Sequence, residues 1–204
     1  MSQQHWDAVY ARNDSRSVSW FQPEAAMSLQ LIKRSNLPGG SHVIDVGAGA
    51  SVLADSLLDL GVARLTVLDL AEAALQSSRQ RLGERAALVD WQVGDILQHP
   101  LPGAYYDLWH DRAVFHFMTE TAQRDAYRRQ LRHALKPGGL LIIGTFASDG
   151  PEQCSGLPVC RYDCAALAAE FSDQFTLLAV ESELHQTPAG RTQSFSWLCL
   201  QKNS

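Results

Sequence analysis

The sequence predicts an α/β fold in which a doubly wound, mostly parallel sheet forms the middle of three layers. Short apolar runs typical of buried strands alternate with helical patterns between residues 43 and 146, which indicates βαβ units and a sheet covered on both faces. Two consecutive strand patterns then follow near the carboxyl end, joined by a short segment with Pro188 and Gly190. This second pattern predicts an antiparallel hairpin, so the expected sheet has seven strands.

Most of the predicted elements begin or end at a recognisable residue. Pro23 suits the first turn of a helix, and Gly61 and Gly83 are expected to end two later ones. Thr119 is a candidate N-cap, and the segment 136–139 is expected to end the helix that Thr119 begins. The predicted helices span 24–35, 52–60, 71–82, 119–135 and 163–171, after a short helical turn at 5–10. The predicted strands span 43–46, 65–70, 87–93, 106–110, 140–146, 175–184 and 192–200.

The first forty residues are a predicted helical lead-in or flap. They carry Trp6, Tyr10 and Trp20. Exposed aromatic side chains this near a terminus are either a packing flap or a cover over a ligand, and both interpretations stay open. No internal repeat, low-complexity tract or interdomain linker occurs in the sequence, so residues 1–204 are interpreted as a single domain.

Composition excludes several classes of function. The net charge is −5 with no basic run, which argues against a nucleic-acid partner. No apolar run approaches the ~20 residues that span a bilayer, and no signal-peptide pattern precedes residue 10. We therefore expect a cytoplasmic protein with no membrane association, in which the four cysteines are free thiols. Cys160 and Cys164 have only loosely zinc-like spacing, and since no second pair accompanies them, no metal site is predicted.

Polar and glycine residues follow four of the predicted strands. In doubly wound sheets ligands bind beyond the carboxyl ends of the strands, so these residues are expected to meet in one site. Asp45 directly before the glycine turn would repel a pyrophosphate, which favours a nucleotide ligand without phosphates. In order along the chain, the residues are Asp45, Gly47, Ala48 and Gly49, then Asp69 and Leu70, then Asp95 and Ile96, and finally His110, Asp111 and Arg112.

The spacing argues against the commonest nucleotide motifs. A dinucleotide fingerprint needs glycine at the first, third and sixth positions of the turn, and Val52 occupies the sixth. No Gly-Lys-Ser/Thr sequence completes a phosphate-binding loop. Each acid singly is equally well explained as a helix N-cap, but three acids at consecutive strand ends favour a ligand site.

These motifs together resemble those of the class I S-adenosylmethionine-dependent methyltransferases. The resemblance covers residues 43–200 and depends on the glycine turn, Asp69, the segment 94–96, the segment 135–139 and the terminal hairpin. It implies the strand order 3-2-1-4-5-7-6 with strand 7 antiparallel, S-adenosylmethionine as cofactor and S-adenosylhomocysteine as product. Ala50 replaces a glycine that many members carry, and little loss of binding is expected.

The resemblance also assigns roles at the site. The methionine part is expected near Gly47 and Gly49, the ribose on Asp69, and the adenine beside Asp95 and Ile96. The expected cofactor-binding set is Asp45, Gly47, Ala48, Gly49, Asp69, Leu70, Asp95, Ile96, His110 and Asp111.

The sequence indicates less about the methyl acceptor than about the cofactor. His116 is the first candidate for a general base, although a histidine packed in an aromatic cluster fits the pattern equally well. Asp111 is expected to hold the amino group of the cofactor rather than to act as a base. Arg112 either binds a carboxylate of the acceptor or pairs with a local acid.

Three hypotheses for the function follow. The first is methyl transfer to a small nucleophile such as a thiol. The second is protein lysine methylation, because the segments 5–10 and 111–113 resemble those of the lysine methyltransferases that modify elongation factors and citrate synthase, with Ala113 in place of their glycine. The third is a catalytically silent binding module that retains the nucleotide pocket.

Overall fold

The fold is built on one seven-stranded sheet. The structure, a computed structural model, describes residues 2–12 and 14–204. Met1 and Asn13, which belong to the predicted lead-in, lie outside the described residues. The sheet strands are β1 (His42–Val46), β2 (Arg64–Asp69), β3 (Val89–Val93), β4 (Tyr106–Arg112), β5 (Leu135–Phe146), β8 (Phe175–Gln186) and β9 (Thr192–Lys202). A separate small hairpin consists of β6 (Gln153–Cys154) and β7 (Leu157–Pro158).

The predicted topology is confirmed. Strands β1 to β5 pair in parallel, whereas β9 runs antiparallel to both β5 and β8. Counting only the strands of the large sheet, the order is the predicted 3-2-1-4-5-7-6. The small hairpin in the loop after β5 was not predicted from the sequence.

Helices cover both faces of the sheet. They are α1 (Gln3–Arg12), α2 (Ala26–Arg34), α3 (Leu53–Asp59), α4 (Glu72–Leu82), α5 (Thr121–Ala134) and α6 (Cys164–Ala169), with 3₁₀ turns at Gly83–Leu88 and Phe115–Phe117. Val43 of β1 packs in the same cluster as α2, α3 and α4, whereas the next residue, Ile44, packs with α5 and α6. Successive strand residues point to opposite faces. The three-layer arrangement follows.

Several predicted boundaries are wrong, and two of them have visible local reasons. The helix expected from Thr119 begins at Thr121, because the backbone N–H of Glu120 donates to the Gln123 side chain at 3.1 Å and makes Glu120 the N-cap. The strand expected from residue 140 begins at Leu135, which pairs with Tyr106 before an irregularity in the register. The segment 136–139 therefore ends the helix as predicted but lies within β5.

The outer strand β8 carries an unusual exposed face. Four large apolar side chains on it are 43–74% exposed, namely Leu177, Leu178, Val180 and Leu184. Its register with β9 is interrupted between Leu177 and Ala179. Among the helices of the described residues, the longest has 14 residues, and none combines the length and hydropathy that crossing a membrane requires.

Candidate functional site

The carboxyl ends of β1, β2, β3 and β4 meet at one edge of the sheet and border a cleft, the first cavity, whose space of about 700 Å³ includes a part open to solvent. The residues around the first cavity are Trp6, Tyr10, Trp20, Val46, Gly47, Leu68, Asp69, Leu70, Gly94, Asp95, Ile96, Arg112, Ala113, Val114, Phe117 and Cys154. Six of the predicted site residues are among them: Gly47, Asp69, Leu70, Asp95, Ile96 and Arg112.

The glycine turn after β1 needs both of its glycines. Gly47 has a φ of +64°, and a Cβ atom there would lie 1.9 Å from Cγ2 of Val114. Gly49 has a φ of +54°, and its Cβ would lie 2.3 Å from the hydroxyl of Tyr10. Glycine adopts such positive φ values without the strain that other residues incur. The turn is therefore fixed by backbone geometry and by close neighbours on both sides.

Asp69 holds this turn against the next strand end. Its two carboxylate oxygens accept hydrogen bonds from the backbone N–H groups of Gly49 and Ala71, each at 2.8 Å. Burial raises the pKa of Asp69 to about 6, although these two hydrogen bonds oppose the shift. Each carboxylate oxygen has a further lone pair, so Asp69 can accept hydrogen bonds from a ligand in the first cavity.

Asp95 and Ile96 form the third part of this edge. The Asp95 carboxylate accepts a hydrogen bond from the backbone N–H of Leu97 at 3.0 Å, which orders the loop after β3. Ile96 is buried and presents an apolar surface to the first cavity. We call Gly47, Asp69, Asp95 and Ile96 the acidic end of the first cavity.

The opposite wall is aromatic. Trp6 makes edge-to-face contacts with Trp20 and Phe117, at centroid distances of 5.9 and 5.4 Å. Tyr10 of the same helix contacts Trp20 with the ring centroids 6.1 Å apart, and the hydroxyl of Tyr10 lies beside Gly49. We call Trp6, Tyr10, Trp20, Phe117, Arg112 and Cys154 the aromatic end. Trp6, Tyr10 and Trp20 of the lead-in thus line the first cavity, where a cover over a ligand would lie.

Asp45 and His110 lie beside a second cavity of about 540 Å³. Nδ1 of His110 lies 2.7 Å from the Asp45 carboxylate, and Nε2 lies 2.9 Å from the hydroxyl of Ser28. Both ring nitrogens are thus engaged. Ala48 also borders this second cavity, and Trp20, Gly47 and Arg112 border both cavities.

Asp111 does not face either cavity, so its expected contact with the amino group of the cofactor is not supported. Its carboxylate accepts hydrogen bonds from the Tyr127 hydroxyl at 2.6 Å and from the backbone N–H groups of Val114 and Phe115 at 2.9 and 3.1 Å. The Trp109 ring N–H donates to Tyr127 at 2.9 Å. Burial raises the pKa of Asp111 to about 6 despite these donors. Asp111 shapes the turn after β4.

His116 is fully buried and does not border the first cavity. Its ring contacts Phe117 and Phe146, with centroids 4.5 and 4.7 Å apart. Burial and the positive charge of Arg112 lower the pKa of His116 to about 3. The structure thus places His116 in an aromatic cluster, the alternative that the sequence allowed, and not where a general base would reach an acceptor.

Arg112, the last residue of β4, borders both cavities. Its Nη1 donates to the backbone oxygen of Trp20 at 2.9 Å, whereas Nε and Nη2 are buried without a hydrogen-bond partner. The guanidinium lies over the ring of Phe195, 4.9 Å from the centroid. Arg112 is therefore not hydrogen-bonded to a local acid, which was one of its two expected roles.

Known proteins resemble this chain over the same elements. A family profile for a methyltransferase domain matches residues 44–143, which run from β1 into β5. The malonyl-[acyl-carrier protein] O-methyltransferase of Serratia marcescens is 29% identical over 138 residues, covering 66% of this chain and 51% of that protein. A ubiquinone/menaquinone biosynthesis C-methyltransferase of Rubrivivax gelatinosus is 33% identical over 145 residues, covering 70% of this chain and 55% of that protein. The chain spans about half the length of these two relatives.

A shorter sequence match and a solved structure also resemble this chain. The ribosomal protein L11 methyltransferase of Exiguobacterium sp. is 36% identical over 78 residues, covering 37% of this chain and 25% of that protein. The S-adenosylmethionine-dependent methyltransferase structure from Mesorhizobium loti has a TM-score of 0.67 at 20% identity and covers 87% of this chain and 98% of that one. With the strand order of the sheet, these matches decide the family. The chain belongs to the class I S-adenosylmethionine-dependent methyltransferases.

The residues of this methyltransferase fit the cofactor that the family name implies. Asp69 has unused acceptor capacity toward the cavity, as a ribose diol would need. Ile96 offers an apolar surface for a base ring. The acidic end and the second cavity meet at Gly47. S-adenosylmethionine as the cofactor of the family is thus the expectation that the comparisons support.

Several residues of the methyltransferase site were not predicted. Val114, Phe117 and Cys154 border the first cavity, and Cys154 is buried with its pKa raised to about 11. The sequence signal for Phe117 was its position beside His116 after the fourth strand. Cys154 comes from the small hairpin, which only the long loop after residue 146 signalled. Within residues 2–12 and 14–204, no group of three or more His, Cys, Asp or Glu residues is arranged to hold a metal ion.

Proposed function

We propose that this chain transfers a methyl group from S-adenosylmethionine to a small nucleophilic acceptor such as a thiol. One observation carries the proposal: a single cavity joins the acidic end, which suits the nucleoside, to the aromatic end, which offers one cation and apolar walls. Both ends border one bounded space, whereas a long peptide or nucleic-acid strand would need an extended groove.

The acidic end would hold the cofactor. Asp69 would accept hydrogen bonds from the ribose hydroxyls, Asp95 and Ile96 would lie beside the adenine, and Gly47 and Gly49 would let the methionine part approach the backbone. When bound, the cofactor supplies a methyl group attached to a positively charged sulfur. The residues of the chain then have to align the acceptor with that methyl group.

The aromatic end would do this alignment. At this end, the ring of Trp6 makes edge-to-face contacts with the rings of Trp20 and Phe117. Rigid aromatic walls exclude water and restrict the directions from which an acceptor can approach. Orientation of this kind can lower a barrier by ~7–11 kcal/mol in favourable cases, so alignment can supply a large part of the catalysis.

Calorimetric titration with S-adenosylhomocysteine tests the cofactor site. We expect the intact protein to bind it and the Asp69→Ala variant to bind at least about 100-fold more weakly, since charge-assisted hydrogen bonds contribute roughly 1.5–3 kcal/mol each. Asp90→Ala is the matched control, because Asp90 is an exposed acid of β3 outside the cavity. An intact protein that binds no S-adenosylhomocysteine would contradict the proposal.

A protein acceptor is the second candidate, favoured by the similarity to a ribosomal protein L11 methyltransferase. Transfer of a labelled methyl group to a panel of small thiols, compared with transfer to a protein extract, separates the two. Label in thiols supports the first candidate, and label on lysine side chains supports the second. Binding of S-adenosylhomocysteine without transfer to either would indicate a silent binding module.

A further inference from the structure

We propose that the acceptor enters the aromatic end as an anion held by the guanidinium of Arg112, and that methyl transfer proceeds without a general base. This inference rests on the proposed function and specifies its acceptor. It follows from three observations on the described residues: the unused donors of Arg112, the lack of a compensating acid, and the composition of the wall around it.

Arg112 has donor capacity that the chain does not use. Among the described residues, Nε and Nη2 have no hydrogen-bond partner, and only Nη1 donates, to the Trp20 carbonyl. An arginine side chain carries five N–H donors in a planar fork that matches anionic oxygen or sulfur acceptors. Leaving buried polar groups unpaired is costly. A ligand that completes these hydrogen bonds would therefore be favoured at this position.

The charge of Arg112 is not neutralised by a direct partner. Glu183 is the acid that acts on it electrostatically, but the two Glu183 oxygens already accept hydrogen bonds from Gln22 at 2.7 Å and Trp197 at 2.8 Å. Burial raises the pKa of Cys154 to about 11 and lowers the pKa of His116 to about 3, so both are neutral near pH 7. Burial also lowers the pKa of His185, which faces Arg112 from β8. Glu183 keeps its charge but does not border the first cavity, so Arg112 is the one charged side chain among the six of the aromatic end.

The same wall offers no group that would remove a proton. Around Arg112, the described residues at the aromatic end are aromatic side chains and the Cys154 thiol. Asp69 and Asp95 lie at the acidic end, and both nitrogens of His110 are engaged beside the second cavity. A neutral acceptor that must lose a proton during transfer would thus have no base beside it. An acceptor that is already ionised needs none.

A thiolate meets both requirements, because it is an anion that Arg112 can hold and it has no proton to lose. The thiolate sulfur forms a bond to the methyl carbon while the bond from that carbon to the positively charged sulfur of the cofactor breaks, and its electron pair remains on that sulfur. One negative and one positive reactant give two neutral products, so no proton moves. The thiolate is also the nucleophilic form of a thiol, and the positive potential of Arg112 favours it over the neutral thiol.

Thiocyanate is the binding probe, because it is a soft anion at every working pH. Protein saturated with S-adenosylhomocysteine is titrated with thiocyanate by calorimetry. We expect saturable binding, weakened about 10-fold or more in Arg112→Gln, since hydrogen bonds from a charged donor to an anion are the strong ones. Arg161→Gln is the matched control, because the Arg161 guanidinium donates to Gly150 and Glu152 and borders neither cavity. Unchanged thiocyanate binding in Arg112→Gln would overturn the proposal.

A second ligand separates this inference from the cofactor site. If Arg112 instead binds the carboxylate of the cofactor, Arg112→Gln will lose affinity for S-adenosylhomocysteine while keeping its affinity for 5′-methylthioadenosine, which lacks that carboxylate. That result would overturn the inference and leave the proposed function intact. Failure of the intact protein to bind S-adenosylhomocysteine would instead remove the proposed function. Arg112→Lys, which keeps the charge, is expected to retain more thiocyanate binding than Arg112→Gln.

The pH profile of transfer tests the absence of a base. With a series of thiols of different acidity, the midpoint of kcat/KM against pH should follow the pKa of each thiol. A midpoint common to all thiols would reveal an ionising group of the protein and contradict the proposal. Because this readout compares thiols on one unaltered protein, it does not depend on the folding of any variant.

Discussion

The two ends of the first cavity are built in different ways. The acidic end consists of turns directly after consecutive strands, held by backbone hydrogen bonds such as those from Gly49 and Ala71 to Asp69. The aromatic end is assembled from side chains far apart in sequence, with Trp6 of α1 against Phe117 and Arg112 bonded to Trp20. One end is therefore fixed by the sheet, and the other by packing of the lead-in.

The difference predicts separable effects of substitution. Changes at the acidic end should act on the binding of S-adenosylhomocysteine, whereas changes at the aromatic end should act on transfer and leave that binding almost unaltered. A single substitution that lowers both S-adenosylhomocysteine binding and methyl transfer from bound cofactor would show that the two ends are not independent.

The largest effect is expected for Gly47→Ala. Its φ of +64° and the 1.9 Å approach to Val114 combine backbone strain with overlap, so we expect a loss of about 3 kcal/mol in the free energy of unfolding and at least about 100-fold in affinity for S-adenosylhomocysteine. Gly61→Ala is the control, because Gly61 has a φ of +73° and nothing within 4 Å of its Cβ position. It should lose about 1–2 kcal/mol of stability with unchanged affinity. Equal losses of affinity in both variants would refute the assignment of the turn to the site.

The next effect is a pH dependence of affinity at the acidic end. In the free protein burial raises the pKa of Asp69 to about 6, so the carboxyl group stays protonated up to that pH. Ribose hydroxyls that donate to Asp69 favour its ionised form, and affinity should rise with pH through about 6, by roughly tenfold from pH 5 to pH 7. Calorimetry across this range measures it, with Asp69→Asn as the variant that should lose the dependence. Since the pKa of Asp111 is also raised to about 6, persistence of the dependence in Asp69→Asn would assign it to Asp111.

A smaller effect is expected for Trp6→Leu at the aromatic end. It removes the edge-to-face contacts with Trp20 and Phe117, each contributing about 0.5–1.5 kcal/mol, and should lower kcat/KM for methyl transfer roughly fivefold. Affinity for S-adenosylhomocysteine should change by less than about threefold, because no contact of Trp6 supports Asp69. Tyr105→Leu, an aromatic truncation outside the cavity, should leave both quantities unaltered. A large loss of affinity in Trp6→Leu would show that the lead-in holds the nucleoside as well.

The smallest effect is expected for Ala113→Gly. Ala113 has a φ of +67°, a region in which an L-residue is strained. Glycine removes that strain but adds flexibility to the unfolded chain, so we expect a gain of up to about 1 kcal/mol in the free energy of unfolding. Denaturant titration measures it. A loss of stability would show that the methyl group of Ala113 contributes more by packing than the strain costs.

The sequence predicted most of the acidic end because its features are local. Gly47, Asp69 and Asp95 each follow an apolar strand directly, and parallel strands bring their carboxyl ends to one edge. The topology followed from the same alternation, together with the resemblance to the methyltransferases. Local spacing alone was sufficient to place these residues within one cavity.

The direction of side chains after β4 could not be predicted in the same way. Asp111 and His116 lie near the edge in sequence, but Asp111 is turned toward Tyr127 of α5 and His116 toward Phe146 of β5. Both orientations depend on partners distant in sequence. The strand also continues to Arg112, so Asp111 and Arg112 point to opposite faces as strand residues instead of lying in a turn after residue 110. A role that depends on where a side chain points could therefore be assigned only from the structure.

The exposed strand β8 has a consequence for the behaviour of the protein in concentrated solution. Its outer edge has no partner strand within the sheet, and it presents Leu177, Leu178, Val180 and Leu184. Apolar edges of this length promote self-association, which the interrupted register between Leu177 and Ala179 counteracts. A lysine in place of Leu184, the most exposed of the four apolar side chains, should therefore reduce self-association in concentrated solution.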